Sequence, residues 1–359
     1  MHLPGTTRTK PWQRLAATAS AAALGIGLLA GCGSDKADDK ADGKADGAAA
    51  GNTPPPAAAG AFPTTVEHAF GSTTIRKAPQ RIVTVGYTDD QAVLALGYKP
   101  VGMVDQYPNP PGTTPDINTQ WPWTKDKWGG ARPEVVMKNG DSGPNYEKIA
   151  QLRPDLIIAV YSEIDQAAYD KLSKLAPTVG RTKGEKEPFS APWQDNALHI
   201  AKTLGKADEG ARLVQDIRTK LDTLRTTRPE FTNQKAVAVS WYKDSLAPFT
   251  TTDVRGQLLT GMGFQGVPEI DRLADGKFYV PLSPERVDLI NVDRIFVIND
   301  QADINALKNY PLFTNLPAVK NGKVSYLLDS EGPAVGAAMS QATLLSLPYA
   351  IDETAKSIG

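Results

Sequence analysis

Hydrophobic and polar positions along this chain switch repeatedly between two periods, and the switching predicts strands followed by helices. Arg81-Ile82-Val83-Thr84-Val85 reads as a buried strand. Thr88, Asp89 and Asp90 then open a helix that runs to Leu96 and stops at Gly97. Upstream, residues 66–75 predict a short hairpin around Gly71, which places the start of folding near Phe62. Residues 101–104 form the next strand, 166–175 a further helix, and Thr178-Val179 a strand. Residues 195–228 read as helix with one interruption at Gly205, and Arg228-Pro229 ends it. In that run Val214, Ile217, Leu221 and Leu224 make one apolar stripe. At about 1.5 Å per residue, the stretch from Ala207 to Arg228 spans roughly 30 Å, enough to join two lobes. Beyond it, strands at 236–241, 294–298 and 324–327, helices starting near Gly256, Pro284 and Ile304, and a closing helix over about 337–356 predict a second lobe. Strands alternating with helices imply right-handed βαβ units and parallel sheets. The expected fold class is therefore α/β: two α/β lobes joined by one long helix, with a ligand cleft between them.

One pattern occurs twice, 138 residues apart. The first copy is Glu147-Lys148-Ile149 with Leu152, Asp155 and the run Leu156-Ile157-Ile158; the second is Glu285-Arg286-Val287 with Ile290, Asp293 and the run Ile295-Phe296-Val297-Ile298. The apolar positions two and five residues after each Glu suit one buried helix face, and the following run suits a buried parallel strand. Each Glu then lies at a helix start, where a carboxylate is favoured, and faces outward. Two readings stay open: solvated charges at helix starts, or matched points by which a bilobed protein is gripped.

The first 31 residues change the picture of where the protein resides. Arg8, Lys10 and Arg14 precede an apolar, Ala-rich stretch of signal-peptide length, too short and weak for a membrane span. It ends in Leu29-Ala30-Gly31-Cys32, which resembles the bacterial lipobox, whose cysteine is diacylated and becomes the first mature residue. Cys32 is the only cysteine, so the mature chain is expected to hold no disulfide. Residues 32–61, charged and then rich in Ala, Pro and Gly, are a disordered tether, because they cannot bury enough apolar surface to offset ordering. The expected location is the outer face of the cell membrane, lipid-anchored at Cys32. Removing residues 1–31 takes away three positive charges and moves the formal charge from -1 to -4. A mildly acidic body argues against nucleic acid as a partner.

Candidate chemistry points to binding. Only three histidines are present, of which His2 is lost with the leader, and no Gly-rich phosphate loop follows a strand. No catalytic set and no protein metal site are therefore expected. Gly261-Met262-Gly263 reads as a helix C-cap. Ligands of open α/β sheets bind outside the carboxyl ends of the strands. Tyr87, Tyr161, Trp241 and Tyr242 follow predicted strands. The long segment 107–138 adds Trp121, Trp123 and Trp128, with Lys125, Lys127 and Arg132 between or beside them. Arg255 precedes the helix at Gly256, and Tyr279 lies in the loop before Glu285. These are the candidate ligand contacts: an aromatic and basic cleft suited to a large ligand with apolar and anionic parts.

The chain resembles the periplasmic-binding-protein family that serves ABC importers of ferric siderophores and cobalamin. The resemblance covers 62 to about 354. It is carried by Arg81–Gly86, Tyr146-Glu147-Lys148-Ile149-Ala150-Gln151-Leu152-Arg153-Pro154-Asp155-Leu156-Ile157-Ile158, Tyr169-Asp170-Lys171-Leu172, Arg255-Gly256-Gln257-Leu258-Leu259 and Ser283-Pro284-Glu285-Arg286. It implies an N-terminal lobe at 62–194, an interdomain helix at 195–228 and a C-terminal lobe at 229–359. It implies that Glu147 and Glu285 dock onto arginines of an ABC permease dimer in the cytoplasmic membrane, with the receptor a monomer. The ligand implied is a ferric siderophore. No cofactor is expected, and Fe³⁺ enters only within the chelate, which supplies its own oxygen ligands. Some members add a His and a Tyr to the iron; here only Tyr279 is placed for the tyrosine part. Few, scattered bases favour a hydroxamate over a tris-catecholate. The alternatives are the same fold carrying cobalamin or haem, or a lipid-anchored extracellular enzyme or sensor partner. A single stiff helix between lobes implies little closure on ligand.

Overall fold

The computed structural model describes residues 56–107, 117–185 and 187–358. The leader, Cys32 and the tether up to residue 55 lie outside the described residues. Strands β1 (Thr64–His68) and β2 (Gly71–Ile75) form the expected antiparallel hairpin. Strands β3 (Ile82–Thr84), β4 (Gly102–Asp105), β5 (Glu134–Lys138), β6 (Leu156–Ala159) and β7 (Thr178–Gly180) form a sheet ordered β5-β4-β3-β6-β7, every pair parallel. Strands β8 (Ala236–Tyr242), β9 (Ser245–Pro248), β10 (Arg294–Ile298) and β11 (Val324–Leu327) form a second sheet ordered β11-β10-β8-β9, with β9 an antiparallel edge. The runs at β3, β6 and β10 are apolar without alternation because helices cover both faces of each sheet, and Val83, Leu156–Ile158 and Ile295–Val297 are fully buried.

Several elements depart from the expected pattern. The segment 107–138 is not all irregular, since it supplies β5 and the short helix Lys125–Trp128. The interdomain run starts two residues earlier than expected and, with its interruption at Gly205 as anticipated, forms two helices, Trp193–Thr203 and Ala207–Thr227, separated where Gly205 takes φ +66. The closing helix is also two, Val335–Gln341 and Ser346–Lys356, broken where Ala342 takes φ +45. The helix expected near Pro284 is a 3-10 helix, Pro284–Ile290. Strand β9 and helix Pro268–Ala274 carried too short a pattern to be anticipated.

The long helix Ala207–Thr227 does connect the lobes. Its start packs Gly210 on Ala201 of the preceding helix, while further along Leu221 meets Gly261 and Arg225 Nη1 donates to the Gly261 carbonyl at 2.6 Å. A second junction lies beside it. Trp123 Nε1 donates to Gln91 Oε1 at 3.0 Å, Thr343 Oγ1 donates to the same atom at 2.7 Å, and Gln91 Nε2 donates to Gln341. Gln91 sits in the first lobe and Gln341 and Thr343 in the second, so this buried network pins one lobe to the other.

The duplicated motif has a structural cause. The Asp155 carboxylate accepts the backbone N–H groups of Gln80 and Arg81, at 2.9–3.0 Å, just before β3. In the second copy Asp293 accepts the N–H of Lys235 at 2.8 Å, just before β8. Each Asp therefore clamps the start of the neighbouring parallel strand, and Ile149, Val287 and Ile290 fill the core beneath. The two Glu residues serve neither task and are exposed.

Candidate functional site

The carboxyl ends of the first sheet face loops of the second lobe, and three adjoining cavities of about 240, 380 and 430 Å³ open between and beside them. Strand β3 leads to Tyr87, β4 to Gln106, β5 to Asn139, and β6 to Tyr161 and Glu163. From the second lobe come Asp253, Arg255 and Phe278. Gly86 is required at the first of these ends, because a Cβ there would lie 2.1 Å from the Asp89 carboxylate. That carboxylate accepts the N–H groups of Val160 at 2.7 Å and Tyr161 at 3.0 Å, which fixes the turn carrying Tyr161. Burial pushes the Asp89 carboxyl up to about 6 against the pull of these backbone donors.

The cleft walls are aromatic. Phe189 lies 4.7 Å from Tyr161, 5.9 Å from Tyr87 and 6.3 Å from Phe278, ring centre to ring centre, so it bridges the two lobes across the cleft. It does so with φ +69, a left-handed backbone that a bulky side chain rarely adopts. Such strain persists where surroundings over-determine it, and it clusters at binding sites. Tyr279 packs tilted against Phe278 at 4.8 Å and lines the largest of these three cavities.

The floor holds one cation. Arg255 Nε and Nη2 donate to the two oxygens of Asp253 at 2.7 and 2.9 Å, and its guanidinium lies 3.6 Å over the Phe249 ring. Asp253 is 1% exposed and also caps the helix Val254–Met262, accepting the N–H of Arg255. Nearby, Tyr107 Oη donates to Asp329 at 3.4 Å. Burial, then the neighbouring Asp300 charge, pushes the Asp329 carboxyl up to about 6. Burial holds the Tyr161 and Tyr107 phenols well above the usual range, so both stay protonated donors. Burial and then the Glu163 charge raise Tyr87, whose hydroxyl donates to Glu163 at 3.3 Å. No histidine lines these cavities among the described residues: His68 Nε2 bonds Thr73 at 3.0 Å, and His199 Nε2 bonds the Gly180 carbonyl at 3.1 Å.

The family model for periplasmic binding proteins matches residues 82–331, most of the described body. The chain belongs to that family. Among its relatives is the "Probable siderophore-binding lipoprotein YfiY" of Bacillus subtilis, 30% identical over 72% of this chain and 78% of that one. Among solved structures, Streptococcus pneumoniae PiaA in complex with ferrichrome superposes with a TM-score of 0.66 at 27% identity, covering 82% of this chain and 97% of that one. Staphylococcus aureus SirA complexed with staphyloferrin B gives 0.66 at 26% identity, covering 82% and 98%.

Of the candidate contacts of this family member, Tyr87, Tyr161, Arg255 and Tyr279 line the cavities. Trp121, Trp123 and Trp128 do not. Trp121 and Trp123, 2% and 9% exposed, stack at 5.1 Å within the core joining the lobes, where Trp123 also meets Tyr349. Trp128, 1% exposed, packs with Leu94 and Met103. Large apolar rings gain more from burial in such cores than from a wet cleft. Lys125, Lys127 and Arg132 are exposed but line none of the cavities, because Trp128 anchors their segment away from them. Trp241 and Tyr242 are also displaced. Strand β8 does not end at the cleft but turns back through Lys243 and Asp244, both at positive φ, into β9. Trp241 packs on Tyr310 at 4.9 Å, and Tyr242 is 50% exposed under Lys243. Glu163, Phe189, Phe278 and Asp253 were not anticipated. Only the last carried a signal, as an Asp directly before a helix start.

Proposed function

We propose that the protein is a lipid-anchored receptor on the outer face of the cell membrane, which holds a ferric siderophore in the interlobe cleft and delivers it to the permease of an ABC importer. The observation that carries this reading is the cleft itself: tyrosine and phenylalanine walls from both lobes, protonated phenols and a fixed guanidinium, over cavities of 240–430 Å³. Such a surface packs the organic shell of a chelate and bonds its oxygens, leaving the iron to the chelate's own ligands. Family membership and the relatives' names point the same way. Cys32 is the proposed anchor, and among the described residues no helix is long and apolar enough to cross a membrane.

The reading is tested by isolating the full chain from membranes of iron-starved cells and taking mass spectra of the protein and of whatever leaves it on denaturation. The expected result is a chain beginning at a diacylated Cys32 and an iron-bearing small molecule with a chelator's mass. An intact unmodified N-terminus refutes the anchor; cobalamin or haem in place of a ferric chelate refutes the ligand.

A further inference from the structure

Glu163 occupies a singular place in the cleft. It lines all three cavities, and the Tyr87 hydroxyl holds its exposed carboxylate at their junction. We propose that Glu163 sets the charge of the chelate the protein accepts: the cleft takes ferric chelates that are uncharged or carry an ammonium arm, and discriminates against polyanionic ones. This rests on the ferric-siderophore reading above.

Three observations carry it. First, the carboxylate shares its cavity with aromatic rings. Tyr87, Phe189 and Phe278 stand in the same cavities, and an aromatic wall with one carboxylate is the combination that attracts a desolvating ammonium group. Gln106 lines that wall too, with its Oε1 buried and unpartnered, an acceptor suited to an N–H donor. Second, the cation at the floor is already neutralised. Arg255 forks onto Asp253, which is 1% exposed, so the pair offers a chelate oxygen its remaining Nη N–H groups but brings no net positive charge to an anionic ligand. Third, the other charges around Glu163 do not compensate among the described residues. There, the remaining charges lining the two outer cavities are Asp141, Glu187 and Asp275 against Lys171 and Lys277, with Asp165 engaged as the cap of helix Gln166–Ser173. A polyanionic chelate needs convergent bases, and here carboxylates outnumber them.

The test is a set of binding titrations on the full chain with four iron-loaded probes: ferrioxamine B, which bears an ammonium; ferrichrome, which is uncharged; and ferric enterobactin and ferric citrate, which are anionic. Ferrioxamine B and ferrichrome are expected to bind at least about tenfold more tightly than either anion. Glu163→Gln should weaken ferrioxamine B by roughly 3- to 10-fold and leave ferrichrome within about twofold. Added salt should weaken ferrioxamine B and spare ferrichrome. Tighter binding of an anionic probe than of both others, or an unchanged ferrioxamine B affinity in Glu163→Gln, overturns the inference while leaving the siderophore reading intact. Failure of all four ferric probes defeats that reading itself.

Discussion

Iron uptake is expected to fall to background when Glu147→Ala and Glu285→Ala are combined, with affinity for the ferric chelate kept within about twofold. Both carboxylates are exposed on short helical turns, at the start of helix Tyr146–Leu152 and of Pro284–Ile290. The first turn is fixed by Asn145, whose side chain accepts the Lys148 N–H at 2.9 Å. The Glu285 carboxyl is held below its usual range by its own backbone N–H and then by Ser283, so it is ionised at any physiological pH. Neither residue lines any of the three cleft cavities, and the clamping task in each repeat belongs to Asp155 and Asp293. We propose an outside partner as the use of the matched pair, and arginines of a permease, which the family resemblance implies, suit it. Charge-assisted hydrogen bonds contribute about 1.5–3 kcal/mol each, so losing both weakens docking by roughly a hundredfold or more. Uptake of a radiolabelled chelate in whole cells, set beside a binding titration of the purified variant, separates docking from binding. A collapse of affinity in the variant would show that these residues support the fold or cleft instead.

The second large effect is expected at Gly256. A Cβ there would lie 2.0 Å from the Thr250 carbonyl oxygen and 2.8 Å from the Thr251 Cα, and neither atom belongs to a flexible side chain. Gly256→Ala must therefore push the helix Val254–Met262 off the 250–251 loop. The cost is about 1–3 kcal/mol, the usual range for overpacking a fitted contact. The displaced segment carries Asp253 and Arg255, so the cleft floor moves with it. Thermal unfolding should show a lowered midpoint, and ligand affinity should fall by about tenfold or more even well below that midpoint. Unchanged stability and affinity would show that the loop yields freely and that the Asp253–Arg255 pair does not depend on this contact.

Much of the fold was legible because burial on both faces leaves a plain mark. Runs such as Leu156–Ile158 and Ile295–Ile298 are apolar without alternation, and that pattern arises where helices cover a parallel sheet. The stripe Val214, Ile217, Leu221 likewise located the long helix. What was illegible depends on partners distant in sequence. Trp121 and Trp128 look the same in sequence whether they face a ligand or a core, and only packing against residues distant in sequence decides for the core. The hairpin at Lys243 and Asp244 uses positive φ at two residues that announce no turn as Asn-Gly would. Phe189 bridges the lobes through a backbone conformation no side-chain pattern encodes. Glu163 reads in sequence as a solvated loop charge, and its position became evident only when three cavities met at it. The repeat drew attention to its Glu residues, yet its Asp residues turn out to hold the sheets together.

The most direct measurement is a fluorescence titration of the full chain with a ferric hydroxamate, its iron-free form, free Fe³⁺, cobalamin and haem in parallel. A coloured ferric chelate bound in the cleft is expected to quench the emission of Trp241 and of the stacked Trp121 and Trp123 at the lobe junction. Saturable quenching by the ferric hydroxamate is expected, with little from the iron-free chelator or the free ion, and with half-saturation shifted to about tenfold higher concentration or beyond in Gly256→Ala. Saturable quenching by cobalamin or haem, with none by any ferric chelate, would show that the cleft serves a different cargo.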